Sequence, residues 1–103
     1  MLLVFTTCPN IQEADSLAER IVDLRLAACV QIMPMMTSVY IWEGKLQREP
    51  EHLLLIKTLP EKWDELQSLI VKYHSYSVPE IVAIDADRIS TPYLKWMQEM
   101  LET

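Results

Sequence analysis

The sequence predicts an α+β fold in which strands and helices follow the order β-α-β-β-α-β and a last helix closes the chain. Three observations lead there. Two segments carry apolar residues at helical spacing. Short strand-like runs stand before the first of them and after the second. Between them lies a long pair of extended arms that meets at Gly44, the single glycine of the 103 residues.

Leu2-Leu3-Val4-Phe5-Thr6-Thr7 reads as a short buried strand, and Cys8-Pro9 ends it. Asn10 and Glu13 have the spacing of a capping box. Ala14, Leu17, Ala18, Ile21 and Val22 then recur on one face, so a helix runs to about Leu24 or Leu26. Its stripe must lie on a sheet. Thr58 and Glu61 repeat the capping-box spacing around Pro60 and predict a second helix. Its stripe is Trp63, Leu66, Ile70 and Tyr73, and it ends near His74. Ser75 to Pro79 is a connector, because Pro79 biases Val78 toward extended backbone and the serines favour turns. Glu80 to Asp85 supplies the fourth strand. Ser90-Thr91-Pro92 opens a last helix with Tyr93, Leu94, Met97, Met100 and Leu101 on its apolar face. In this split-βαβ order an antiparallel sheet carries both helices on one face and leaves the other bare. The predicted fold is therefore a ferredoxin-like βαββαβ sandwich with a long protruding hairpin between its second and third strands and a C-terminal helix. Residues 1–103 form one domain.

The hairpin dominates this architecture. Its first arm, Cys29 to Trp42, is rich in β-branched and aromatic residues, and Glu43-Gly44-Lys45 offers a residue able to take positive φ where the chain reverses. The second arm returns from Leu46 to Thr58. Both faces of the first arm are apolar: Val30, Ile32, Met36, Tyr40 and Trp42 point one way and Cys29, Met33, Met35, Val39 and Ile41 the other. In the second arm Gln47, Arg48, Glu49, Glu51 and His52 stand near the turn, and only Leu53 to Ile56 reads as core. At ~3.3 Å per residue the first arm runs roughly 45 Å, whereas a domain of this length has a diameter of about 34 Å. The tip overhangs its own domain. A tip carrying Val39, Tyr40, Ile41 and Trp42 is an aggregation hazard unless another chain covers it, so an oligomer follows from length and pattern.

Composition narrows the function classes. A formal charge of −6 and a pI near 4.8 argue against nucleic acid and an anionic membrane as partners, since both attract clustered Lys and Arg, and are compatible with cations. Two cysteines, Cys8 and Cys29, make no disulfide scaffold. The segment Met1 to Phe5 has no basic region or cleavage site, and no apolar run approaches the ~20 residues of a membrane span, so a reducing cytoplasm is expected.

Several residues are able to carry chemistry. Met33-Pro34-Met35-Met36 offers thioethers to Cu(I) with Cys29 on the Met33/Met35 face; the plainer account is methionines filling an irregular interface. Cys8 stands before the first helix, where backbone amides would lower a thiol pKa, and is expected at the surface as the more reactive thiol. His74 lies at a helix end beside a polar turn with Tyr76 and Glu80, open to a metal, a small ligand or a capping role. His52, among Glu49 and Glu51, is expected to face solvent or an interface. The sequence has no histidine pair at helical spacing, no Cys-x-x-Cys, no glycine-rich phosphate loop and no evident Ser-His-Asp set.

Three segments together resemble the CutA family of divalent-cation tolerance proteins: Leu26-Ala27-Ala28-Cys29-Val30; Thr37 to Lys45 with Ile56-Lys57-Thr58; and His74-Ser75-Tyr76-Ser77-Val78-Pro79-Glu80-Ile81. Tyr93-Leu94-Lys95-Trp96 fits as well. The resemblance implies a ferredoxin-like domain in a homotrimer whose hairpins engage neighbouring subunits, tolerance to copper and other divalent ions, and no settled enzymatic activity. It places metal ligands on His74 and Cys29 and a third cysteine of some members at Thr6. The chain departs from the family pattern at Gln31, at Met35 where glycine is usual, and at Ser75 and Ser77 within His-Pro-Tyr-Glu-Val-Pro-Glu.

Two functions of different class follow as expectations. One is a non-enzymatic trimer that binds copper or a similar divalent ion through His74 and Cys29, with carboxylates such as Glu49 or Glu51 nearby. Access favours His74, while Cys29 lies in an arm apolar on both faces. The other is a signalling trimer that holds a small metabolite in a cleft between subunits, recognised by Lys57, Tyr76 and Trp42.

Overall fold

Nine segments of regular backbone appear in the computed structural model, which describes residues 1–102. In order they are β1 (Leu2–Cys8), α1 (Ile11–Asp23), β2 (Cys29–Ile32), β3 (Met36–Trp42), β4 (Lys45–Thr58), a 3-10 turn (Pro60–Lys62), α2 (Trp63–Tyr73), β5 (Val82–Asp85) and α3 (Thr91–Leu101). The sheet runs β2-β4-β1-β5, all antiparallel, and β3 pairs with the front of β4. This is the expected ferredoxin-like α+β order. The fourth strand starts at Val82 rather than Glu80.

Residues directly opposite on neighbouring strands share a face. Leu2, Val4, Thr6 and Cys8 of β1 therefore stand beside Thr58, Ile56, Leu54 and His52 of β4, and Val30 and Ile32 of β2 join them. On this face Ala14, Leu17 and Ile21 of α1 and Leu66 and Ile70 of α2 close the core. The other face carries Leu3 and Phe5, Leu55 and Lys57, Cys29, Val82 and Ile84. The last helix covers one end of it: Met97 and Leu101 pack with Leu59, and the Lys57 ammonium lies 5.5 Å from the Tyr93 ring. Val82 and Ile84 remain exposed.

Local chemistry sets the helix ends. Asn10 Oδ1 accepts the Glu13 N–H at 2.8 Å, the first half of the predicted capping box. At the other end Arg25 takes φ 57, its N–H reaching Val22 O and that of Leu26 reaching Ile21 O, both at 3.0 Å. This is a Schellman ending in which arginine occupies the left-handed position usually given to glycine. It stops α1 at Asp23, slightly short of the predicted end. The second capping box does not form. Thr58 Oγ1 is buried and donates instead to Leu26 O at 2.7 Å, and α2 is entered through the Pro60–Lys62 turn without a side-chain cap.

The hairpin departs from the predicted pattern in one consequential way. Ile32 lies opposite Leu54 and Met36 opposite Glu51, so three residues, Met33 to Met35, face two on β4. The extra residue is a bulge, and it inverts the side-chain alternation. Val30 and Ile32 thus face the helices, while Met36, Tyr40 and Trp42, expected on the same side, face the other way. His52 holds the break: its Nδ1–H donates to Met33 O at 2.9 Å, and Met33 N–H donates to Leu53 O at 2.9 Å. Met35, where the family pattern has glycine, needs no positive φ here. At the tip Glu43 (φ 51) and Gly44 (φ 78) form a two-residue turn between Trp42 and Lys45, both with positive φ as a type I′ turn requires. The molecule measures 46 × 26 × 23 Å, its long axis in line with the predicted overhang.

Candidate functional site

The connector after α2 is clamped at three consecutive residues. His74 is buried; its Nε2–H donates to Thr7 O at 2.6 Å and its Nδ1 accepts the Tyr76 N–H at 3.0 Å. A carbonyl only accepts and an amide only donates, so these partners fix the tautomer and occupy both ring nitrogens. Ser75 donates through N–H (2.7 Å) and Oγ–H (3.0 Å) to the Glu13 carboxylate. Proline, which the family pattern has at this position, would supply neither donor. Tyr76 donates its hydroxyl to Glu51 Oε2 at 3.0 Å, and its ring leans on His74 with centroids 4.7 Å apart. Burial, together with the bond to Glu51, holds the Tyr76 phenol well above its ordinary range, so it stays a donor.

Between this loop and the hairpin, along β3 as far as Trp42 at the tip, lies a cleft of about 500 Å³. Ser38, Tyr40 and Trp42 of β3 share one face of the hairpin with Glu51, the same face as Thr7 of β1. Tyr76, Ser77, Val78 and Glu80 form the opposite wall, and Val39 reaches the rim. Two carboxylates and three aromatic rings line the space, with no Lys, Arg or His among them. Of the three groups expected to recognise a small molecule, Trp42 and Tyr76 meet here. Lys57 does not: it sits opposite Cys29 on β2 and over Tyr93.

The candidate metal residues are not brought together. Thr7, which His74 contacts, is opposite Leu53, whereas Cys29 is opposite Lys57 on the other flank of β4. Four residues along the strand separate them by about 13 Å. The expected order of access is reversed as well, with His74 buried and Cys29 half-buried. Among the described residues no three of His, Cys, Asp or Glu converge, so the donors of one protomer do not fit a three-ligand centre. Thr6 brings no third thiol; its hydroxyl is buried on the helix side, without a hydrogen-bond partner among the described residues. Met33 and Met35 stand exposed at the bulge.

Cys8 is buried, against the expectation of a surface thiol. The strand continues through it, opposite His52, so the thiol is fully buried rather than displayed before α1. Burial, with the Glu13 and Glu51 charges as lesser causes, pushes it up to about 12. His52 is half-buried, and its ring ties the bulge. Sequence reading missed the Glu13 anchor and the Glu51–Tyr76 pair, whose partners lie 62 and 25 residues apart.

A ferredoxin-like sheet with an overhanging hairpin, a clamped connector and a cleft between them defines an α+β protein built around its hairpin. The family model described as CutA1 divalent ion tolerance protein matches residues 2–100, and the chain belongs to that family. Human Protein CutA is 37% identical over 99 residues, which are 96% of this chain and 55% of that protein, so the chain spans little more than half of that relative. The Divalent-cation tolerance protein CutA of Thermus thermophilus is 39% identical over 97 residues, 94% of each. A crystal structure of a single-substitution variant of CutA1 from Pyrococcus horikoshii superposes with a TM-score of 0.96 at 34% identity, over 100% of both chains. No helix among the described residues is long and apolar enough to cross a membrane.

Proposed function

We propose that the chain acts as a divalent-cation tolerance protein without enzymatic activity, a homotrimer in the cytoplasm in which each hairpin lies on a neighbouring copy and copper or a similar divalent ion is bound. Family membership supports the tolerance role, and the names of the bacterial and archaeal relatives carry it. One observation supports assembly above the rest. The hairpin face turned away from the cleft carries Val39, Ile41 and Leu46, which are 52%, 71% and 69% exposed. Such a strip on a protruding ribbon favours burial against another chain.

For the ion, His74 and Cys29 serve separate sites, since imidazole suits Cu(II) and thiolate suits Cu(I). Binding at His74 requires Nδ1 to release the Tyr76 N–H, and the Cys29 thiol, on the bare sheet face, needs further donors from a neighbouring copy. Calorimetric titration tests this. His74→Ala should weaken Cu(II) binding and Cys29→Ala should weaken Cu(I) binding; unchanged affinity in both variants removes the metal assignment.

A second reading is favoured by the cleft itself: a signalling trimer that holds a small molecule there, with Trp42 and Tyr76 as recognition groups. Its specific support is the meeting of those two rings with a buried carboxylate in one concave space.

A further inference from the structure

Glu51 is a buried carboxylate without a counter-charge. The residue is 8% exposed, and of its two oxygens only Oε2 has a partner, the Tyr76 hydroxyl. No cationic side chain pairs with it among the described residues, where the ion pair present joins Arg88 to Asp87 on the surface. Its free oxygen is not enclosed, since among the described residues the buried side-chain atom without a partner is Thr6 Oγ1, and a positive group entering the cleft would pair with it. Glu80 adds a second carboxylate to the same space, and the remaining wall holds three aromatic rings, each with a negative potential over its face, among hydroxyl and valine side chains.

We infer that this cleft binds a small organic cation, its ammonium group held by Glu51 beside the Tyr76 ring and its hydrocarbon body directed along the cleft past Tyr40 and Val78 toward Trp42. The inference rests on the second reading above, that the cleft holds a small molecule, and adds the chemical class. A divalent ion fits less well. It requires several oxygen or nitrogen ligands, no three such residues converge, and one Glu51 oxygen is already committed to Tyr76. An anion would meet two carboxylates and no positive side chain. An organic ammonium needs one carboxylate, aromatic neighbours and an apolar wall, which is what the cleft offers.

The test is calorimetric titration of the full chain, in its solution assembly, with three probes of one shape: 2-phenylethylammonium, 2-phenylethanol and 3-phenylpropionate. The ammonium should bind about tenfold more tightly than the alcohol, the size of one desolvated cation–aromatic contact, and the carboxylate should be weakest. Glu51→Gln, which keeps an acceptor for Tyr76, should abolish the preference for the ammonium over the alcohol. Ser77→Lys, placed on the exposed loop where folding is not at stake, should abolish it too, and Trp42→Ala should weaken both probes. If the alcohol binds as tightly as the ammonium, the cleft reading stands and the cation class is wrong. A preference that survives Ser77→Lys overturns the inference as well. If none of the probes binds, the inference and the cleft reading fall together. If Cu(II) displaces the ammonium and is itself lost in Glu51→Gln, the site belongs to a metal.

Discussion

The two halves of β4 share one backbone ladder and opposite surroundings. From Leu53 to Thr58 the strand lies between β1 and β2, with Leu54, Ile56 and Thr58 fully buried under the helices. From Lys45 to Glu51 it pairs only with β3, and Leu46 stands in solvent. Hydrogen bonding already distinguishes them, since the rear half is paired on both edges and the front half on one, and what lies behind each face adds to the difference. The rear half stabilises the fold, and the front half is left to make associations. Within the front half the two faces divide again, an apolar strip of Val39, Ile41 and Leu46 on one side and the cleft with Tyr40, Trp42 and Glu51 on the other.

The largest effect expected from this contrast comes from truncating the rear half. Ile56→Ala should cost ~2–5 kcal/mol, because its side chain is fully buried and its neighbours relax only in part. The loss should appear at every protein concentration in denaturant unfolding. Ile41→Ala, in the front half, should instead lower stability in a concentration-dependent way, through association. An equal, concentration-independent loss in both variants would erase the distinction.

A smaller effect is expected at high pH, where the buried side of β1 titrates. The Cys8 thiol rises from its ordinary 9.0 to about 12 in the folded chain, so folding favours the protonated form. That contribution is fully present below pH 9.0 and is lost between there and about 12. Stability should fall across this window with a slope of about 1.4 kcal/mol per pH unit, and Cys8→Ala should flatten it. The raised Tyr76 phenol adds in the same direction. At neutral pH an alkylating reagent should modify Cys29 before Cys8, the reverse of the order expected when Cys8 was placed at the surface.

The smallest effect concerns the connector that walls the cleft. Ser75→Ala should cost ~0.5–1.5 kcal/mol by removing one of two bonds to Glu13. Ser75→Pro removes both donors, and His74 already has the extended ψ of 143 that precedes proline well. Faster hydrogen exchange at the Tyr76 N–H in both variants is the accompanying sign; unchanged exchange would mean that Glu13 does not hold the loop.

Much of this was legible in the sequence. Helical spacing gave both stripes, Gly44 marked the turn, and counting residues along one arm foretold an overhang. The errors share a cause. The inversion at Met33 to Met35 depends on a count against β4, three residues facing two, which the pattern of one arm does not contain. Thr58 was drawn from its predicted cap by the carbonyl of Leu26, 32 residues away. Glu51 lies among charged residues and was placed outside the core, yet the returning loop buries it under Tyr76. Local chemistry was readable; partners supplied by distant segments were not.

The central claim is that the front half of the hairpin is built to be covered by another copy of this chain. Sedimentation equilibrium at micromolar concentration tests it most directly. A mass three times that of the 12.0 kDa chain is expected, shifting toward the single chain when both Ile41 and Leu46 are replaced by Asp. A mass near 12.0 kDa for the unaltered protein would contradict it.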